Sequence, residues 1–391
     1  MKKNIVSMKI FWFFYMAALG AIFPFISLYL NEYVGIDGVQ LGFALAVGPL
    51  FGIVVSPLWG YIADRTGQRK KVLAIAVLGS SIGYLTVPTA TNFLSLLILL
   101  GILAIFSSPA MALASSLSFG ILGKTNVINF GTIRVWGTLG YLVSVVLVPL
   151  VLIFIEGSER SEISYSLKLI FPIAAALSLI AVFAIVNITN QNREIFMSSK
   201  AQDVKILLKN SAFKKLLVTA FLTFLILSSP ISLFPILIIE NGGNTQLIGL
   251  LWIPMLLLEV PLIFYASKGL KLLGAKNFIL IGILCDGLRW LGTVYSPSLF
   301  WIFIFQLLHG LVVIGLFIGM QLYAEKEIPE KLRASAQTTL GMTMGLGSVC
   351  SYLWSGLILE YFNTSTPFLL AGFFAFFLCF FAWRLLPEQS I

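Results

Sequence analysis

Gly60-Tyr61-Ile62-Ala63-Asp64-Arg65-Thr66-Gly67-Gln68-Arg69-Lys70-Lys71 is a short charged turn set between two long apolar runs. Five of its twelve residues carry charge, in a chain whose charged fraction is only 10%. The runs that flank it, residues 39–62 and 71–90, each reach the length of about 20 residues that a bilayer-crossing helix needs. Moving outward from this turn, the same alternation of apolar run and short polar loop continues to both ends. The other runs fall at residues 8–30, 93–116, 130–155, 165–188, 216–239, 246–267, 276–295, 299–323, 334–359 and 366–386. Twelve runs that are long and continuous predict twelve transmembrane helices. The strands of a membrane barrel would instead show alternation over about ten residues. Residues 8–30 follow Met1, Lys2 and Lys3 and are read as the first span, because the run is too long for a signal-peptide core and has no small-residue cleavage site.

Composition gives the same answer. Apolar residues make up 59% of the 391 positions, against about 45–50% apolar and about 25% charged in soluble domains. Such a chain cannot cover a water-facing surface, which excludes an ordinary soluble enzyme and a disordered chain. The net charge of +9 suits either nucleic acid or a membrane surface. The basic residues sit in short loops between apolar runs, so the lipid bilayer is the expected partner and nucleic acid is not. No zinc spacing, phosphate loop or catalytic dyad is present, and no metal, cofactor or enzymatic activity is expected. Cys285, Cys350 and Cys379 all lie in apolar runs and say nothing of redox compartment.

Loop charge sets the expected orientation. One set of loops carries Arg65, Arg69, Lys70, Lys71, Lys124, Arg193, Lys200, Lys205, Lys209, Lys268, Lys271, Lys331 and Arg333; the other carries Arg160 and Lys168 beside Glu32, Asp37, Glu156, Glu159 and Glu162. The basic set faces the cytoplasm by the positive-inside rule, which puts both termini there. The longest internal loop splits the spans six and six. The expected organisation is a six-helix bundle over residues 1–190, a cytoplasmic linker over 191–215 and a second six-helix bundle over 216–391. Within the linker, Val204, Leu207, Leu208 and Ser211 share a helical face away from Lys205 and Lys209, which predicts an amphipathic surface helix. Two six-span repeats are a common plan for secondary transporters.

The Gly60 to Lys71 turn resembles the Gly-x-x-x-Asp-Arg-x-Gly-x-Arg-Lys loop of the major facilitator superfamily. Gly60 and Gly67 are expected to make a tight turn, and the Asp64 carboxylate to face a helix N-terminus, with Arg65, Arg69 and Lys70 holding the inner surface. A worn copy stands at the matching place of the second half, Ser267-Lys268-Gly269 through Gly274 to Lys276, without the acid. The resemblance implies an all-helical fold of two pseudo-repeated bundles and transport by alternating access. Residues Phe11 to Phe25 of span one, Phe130 to Tyr141 of span five, Leu288-Arg289-Trp290 of span nine and His309 of span ten narrow it further. They resemble the branch that holds the lactose permease, the phenylpropionate permease and nucleoside–proton symporters. Monomeric function in a bacterial inner membrane is what this branch implies.

Charges inside a bilayer need a partner or a task, since each costs about 2.5–3.5 kcal/mol on insertion scales. Arg134, Glu259, Asp286, Arg289 and His309 fall in this class. By its residues alone, Arg134 is either a cavity-facing guanidinium or an inner-surface residue that snorkels. The resemblance implies the former, a solute ligand, with Tyr141 at the place of a sugar-stacking tryptophan. Tyr15 and Trp136 complete the expected solute contacts, while Gly137, Gly140 and Ser144 suit close helix packing. Gly341, Gly345 and Gly347 of span eleven are read the same way. Ser116 stands about where the branch has a sugar-binding acid, which shifts the expected solute toward a monocarboxylate, aromatic or not, ahead of a sugar or nucleoside. Val312 stands where the branch has a proton-carrying glutamate, so the proton site is expected elsewhere. Glu259 is the first choice, since a carboxylate in an apolar helix is costly to ionise and can load and release a proton. Asp286 and Arg289, three apart on one face, either neutralise each other or relay with Glu259. His309 is either a packed polar residue or a member of that network.

The expected function is proton-coupled symport of a small organic solute, driven by the proton gradient without a cofactor. Proton-driven export of drugs or metabolites is the alternative.

Overall fold

A computed structural model describes residues 2–122, 130–156, 166–189 and 201–388. Lys124, Arg160, Glu159, Glu162, Arg193 and Lys200, named above for orientation, lie outside the described residues, as do the first ten residues of the expected linker. Every regular element among the described residues is helical. Eleven helices are long and apolar enough to cross a membrane: Lys2–Tyr33, Gly38–Thr66, Arg69–Thr89, Phe93–Leu122, Phe130–Leu152, Leu167–Val186, Ser211–Glu240, Leu272–Tyr295, Leu299–Glu327, Glu330–Tyr361 and Ser365–Leu385. Thr245–Glu259 is a further apolar helix in the position of span eight. The helical run Thr245–Tyr295 joins spans eight and nine, with one non-helical residue, Gly274, at φ 76° and ψ 159°. Only glycine adopts that backbone without strain, so Gly274 is where the chain turns back. The spans below are numbered in this order, with Thr245–Glu259 as span eight.

Most spans begin earlier or end later than hydropathy alone predicts, because helices run on past the apolar window into polar residues. Span four is expected to end at 116 but continues to Leu122, with a turn at Ser108 and Pro109 inside it.

The chain divides into two compact units. One comprises Met1–Phe196 with Ile238–Leu250, the other Met197–Leu237 with Leu251–Ile391. This differs from two contiguous halves at the junction of spans seven and eight. Glycine explains part of the difference. A Cβ on Gly249 would lie 2.5 Å from the Val145 carbonyl oxygen and 2.9 Å from Pro149, so the start of span eight is seated on span five.

In the first unit the core gathers Met8, Phe11, Trp12, Tyr15, Leu73, Val77, Leu117, Ile133 and Ile185. Spans one and five touch through their backbones. A Cβ on Gly140 would overlap the Phe13 carbonyl oxygen, and one on Gly20 would lie 2.8 Å from that of Tyr141. Gly137 is nearly as tight, a Cβ there falling 2.8 Å from Met16 Cγ. In the second unit, Gly282 and Gly315 bring spans nine and ten together, a Cβ on Gly282 falling 2.9 Å from the Gly315 Cα. Of the span-eleven glycines, Gly347 lies against span seven, where a Cβ would fall 2.6 Å from the Phe221 carbonyl oxygen, whereas one on Gly341 would meet open space. The shared need for small residues follows from lipid, which removes the hydrophobic drive between helices and leaves close packing to hold them.

The described part of the linker is the short helix Ala201–Leu207. Leu207 is buried, but Leu208 is 44% exposed, so the apolar face is narrower than the sequence suggests. Polar bonds fix the segment instead: Ser335 Oγ donates to Asp203 Oδ2 at 2.7 Å, and Asn210 Nδ2 donates to the Glu327 carbonyl at 3.1 Å.

Candidate functional site

The charged turn of span two is a built structure. Gly67 ends the helix at φ 64°, the left-handed conformation that glycine adopts without penalty. Gly60 does not share that role: it lies inside Gly38–Thr66, and a Cβ there would meet nothing within 4 Å. Asp64 accepts from Arg69 Nη2 at 2.8 Å. Since Arg69 opens the next helix, the acid meets that N-terminus through a side chain rather than through backbone amides. Lys70 Nζ donates to the Val186 carbonyl at 2.8 Å and to that of Ile188 at 2.5 Å. A cation there satisfies carbonyls at the end of span six and opposes that helix's dipole. Arg65 lies over the Tyr61 ring and donates to its hydroxyl at 3.3 Å.

Of the four expected solute contacts of the first unit, Trp136 stands on a different helical face from Arg134 and Tyr141. Arg134 is half-buried, its guanidinium 4.7 Å from the centre of the Trp12 ring. Trp12 Nε1 donates to Ser118 Oγ at 3.0 Å. Tyr141 is half-buried and seven residues on, which is the same helical face. Trp136 is two residues from Arg134, on another face, and is 41% exposed with Lys9 Nζ 5.9 Å from its ring centre. Tyr15 is turned into the core, stacked on Phe11 at 5.4 Å. Its hydroxyl is within electrostatic range of Tyr84 on span three and of Arg134 on span five.

The second unit holds a buried charged cluster. Asp286 Oδ1 and Arg289 Nη2 are 2.9 Å apart, one turn apart on span nine, as their spacing predicts. Arg289 is 1% exposed and Asp286 3% exposed. The guanidinium also lies 3.9 Å from the centre of the Trp290 ring, a favourable setting for a desolvated cation. Arg289 Nη1 donates to His309 Nδ1 of span ten. A guanidinium has no acceptor, so that contact requires a neutral imidazole with its proton on Nε2. The cluster is therefore overall neutral as it stands, a guanidinium and a carboxylate beside an uncharged ring.

This cluster opens on a cavity of about 200 Å³, whose wall is mainly apolar, with Phe224, Leu227, Leu316 and Phe317, and carries the hydroxyls of Thr223, Ser228, Ser348 and Tyr352. Glu259, the expected proton carrier, is not among the lining residues. It is half-buried on span eight, with its backbone nitrogen 2.9 Å from where a Cβ on Gly310 would be. So span eight touches span ten one residue after His309. No group of three His, Cys, Asp or Glu that could hold a metal occurs among the described residues.

Sequence reasoning passes over the hydroxyls. Ser228 and Ser348 share a hydrogen bond at 2.9 Å, and Ser232 and Tyr352 share another at 2.9 Å. Ser351 Oγ accepts from the Ser229 backbone at 3.0 Å. These residues join spans seven and eleven, and Ser228, Ser348 and Tyr352 among them reach the cavity wall. The available signal is the spacing of Ser348, Tyr352 and Ser355, each about one turn apart, mirrored by Ser228 and Ser232. Hydroxyls in apolar helices usually bond to their own backbone, which makes such a stripe easy to overlook.

The helices and the buried cluster together define a multi-pass membrane transporter rather than an enzyme. The chain belongs to the MFS_1 like family, which it matches over residues 5–370. It is similar to the transporter YwbF of Bacillus subtilis (strain 168), 26% identical with 95% of this chain and 90% of that one covered. A maltose permease of Geobacillus stearothermophilus is 28% identical over 92% of this chain and 89% of its own. Among solved structures, the nucleoside transporter NupG has the same fold, with a TM-score of 0.84 at 20% identity, covering 99% of this chain and 100% of the other.

Proposed function

We propose that this transporter is a monomeric proton-coupled symporter that takes up a small hydroxylated solute across the bacterial inner membrane by alternating access, with both termini cytoplasmic. The observation that carries this reading is the neutral Asp286, Arg289 and His309 cluster opening on a mainly apolar cavity that also bears four hydroxyls. Adding one proton to such a cluster leaves a net positive charge where charge is costly. Protonation of Asp286 removes the partner of Arg289 Nη2 and turns that nitrogen toward solute oxygens. Protonation of His309 removes the acceptor of Arg289 Nη1 to the same effect. Solute departure lets the ion pair re-form and expels the proton. Glu259 is the second proposed proton carrier.

Solute class follows from the wall. Thr223, Ser228, Ser348 and Tyr352 bring hydroxyl oxygens with acceptor capacity to the wall, which suits solute hydroxyl donors, although Thr223 spends its own proton on the Thr219 carbonyl. The similar maltose permease supports this choice. A sugar or nucleoside therefore ranks ahead of a monocarboxylate.

The test is proton movement in proteoliposomes holding the purified protein, with sugars, nucleosides and monocarboxylates added outside. Alkalinisation of the medium with a hydroxylated solute, lost in Asp286→Asn, is expected. Uptake that ignores the proton gradient and persists in both Asp286→Asn and Glu259→Gln overturns symport. Solute-driven proton release in the opposite sense moves the assignment to export.

A further inference from the structure

Spans nine and ten are joined by two buried rungs, one turn apart. The first is Arg289 to His309, already described. The second is Thr293 to Gln306, where Gln306 Nε2 donates to Thr293 Oγ1 at 2.8 Å. The Thr293 hydroxyl in turn donates to the Arg289 carbonyl at 2.8 Å. Donors and acceptors run in one direction, from the Gln306 amide through the hydroxyl to the arginine backbone. Gln306 is fully buried. Its Oε1 has no hydrogen-bond partner among the described residues. A buried amide with one oxygen unmatched is costly, and packing alone would be served as well by an apolar side chain of similar volume.

The backbone beside it shows what the rung does. Span ten is irregular on both sides of His309. The amides of Leu307, Leu308 and Leu311 bond to carbonyls three residues back, a tightened turn. Val313–Gly319 then widens into a π-helical segment. Such departures from the α ladder concentrate at functional and bending points. Within this stretch the ladder changes pitch, although the His309 carbonyl still accepts from the Val313 amide, so contacts to span nine help to set the register of His309 against Arg289. Two such contacts flank it: the glycine contact of Gly282 and Gly315 on one side, and the Gln306 rung on the other.

We propose that Gln306 and Thr293 are positioning residues for proton coupling, setting the register of His309 against Arg289. The proposal rests on the symport reading above. The charged and titratable groups around His309 are Asp286 and Arg289 of span nine, Glu259 of span eight by its backbone, and Tyr352 of span eleven on the cavity wall.

The experiment uses the full chain in proteoliposomes, with a sugar or nucleoside that the wild type carries. Gln306→Leu and Thr293→Val are measured for proton-driven uptake across a range of pH and for gradient-free exchange. Each is expected to lower kcat of proton-driven uptake about 5- to 10-fold, the scale of one lost buried hydrogen bond. KM and exchange should stay near wild type, the pH profile should shift, and Thr293→Ser should restore both. A wild-type pH profile and turnover per folded transporter in Gln306→Leu and Thr293→Val overturns the positioning role, whatever happens to thermal stability. If the wild type itself moves solute without protons, the symport reading fails and this role fails with it; that result is visible before any variant is made.

Discussion

Two arginines in apolar helices, one in each unit, both lie over a tryptophan: Arg134 at 4.7 Å from the Trp12 ring centre and Arg289 at 3.9 Å from that of Trp290. Their surroundings differ. Arg134 is half-buried on a helix that packs by glycine against span one. Arg289 is 1% exposed and is held by a carboxylate and an imidazole. The difference shows how burial decides the demand for neutralisation. A guanidinium removed from water needs a countercharge, because desolvation of an ion costs several kcal/mol, and Asp286 supplies it for Arg289. The second unit thus holds a charge balance that a single proton upsets. The first unit is built mainly of aromatic packing and backbone contact.

The comparison is broken most directly at Asp286. Asp286→Asn strands a buried guanidinium and is expected to cost on the order of 3–5 kcal/mol of stability, read as a lower unfolding temperature in detergent. Asp286→Asn combined with Arg289→Gln should recover most of that loss. Failure of the pair to recover would mean that the two charges act independently. In the first unit the largest effect should come from backbone contact. Gly140→Ala drives a Cβ into the Phe13 carbonyl oxygen and is expected to cost about 1–3 kcal/mol, the range for overpacking. Gly341→Ala, with nothing within 4 Å, should be neutral or stabilising by about 0.5–1 kcal/mol. Equal loss in both variants would sink the packing argument.

Trp12→Phe removes the donor to Ser118 Oγ at 3.0 Å while keeping a ring beneath Arg134. About 1 kcal/mol of destabilisation is expected, by the same unfolding assay. A much larger loss would show that Trp12 anchors the arginine as firmly as Asp286 anchors Arg289. The smallest stability effect belongs to Asp64→Asn. Its pair with Arg69 retains partial exposure, 24% on the acid side chain, and such pairs contribute about 0–1 kcal/mol. If the turn controls conformational exchange, transport rate should fall in this variant while the unfolding temperature barely moves.

Much of this architecture is legible in the sequence. Hydropathy locates the spans, and loop spacing locates the turn of Asp64 and Arg69. The i,i+3 separation of Asp286 and Arg289 predicts their pairing, and Gly137 and Gly140 announce a tight helix contact. The solute contacts are less legible. Trp136 and Arg134 are near neighbours in sequence but occupy different helical faces, and Tyr15 is a core residue stacked on Phe11. Gln306, Thr293 and the serine stripe escape notice because an uncharged polar residue in an apolar helix has an ordinary local explanation, a bond to its own backbone.

Composition and the pattern along the chain are enough to put this protein in a bilayer, as helices, with charges that require an account. Those are consequences of hydropathy and of periodicity along one helix, both readable in one dimension. That His309 meets Arg289 through a neutral ring, that Gln306 is tied to Thr293, and that hydroxyls of spans seven and eleven wall the cavity are decided in three dimensions. Each of these joins separate helices. Which residues meet depends on how each helix is rotated and how far it slides, and small residues such as Gly282, Gly310 and Gly315 set that approach by letting backbones touch.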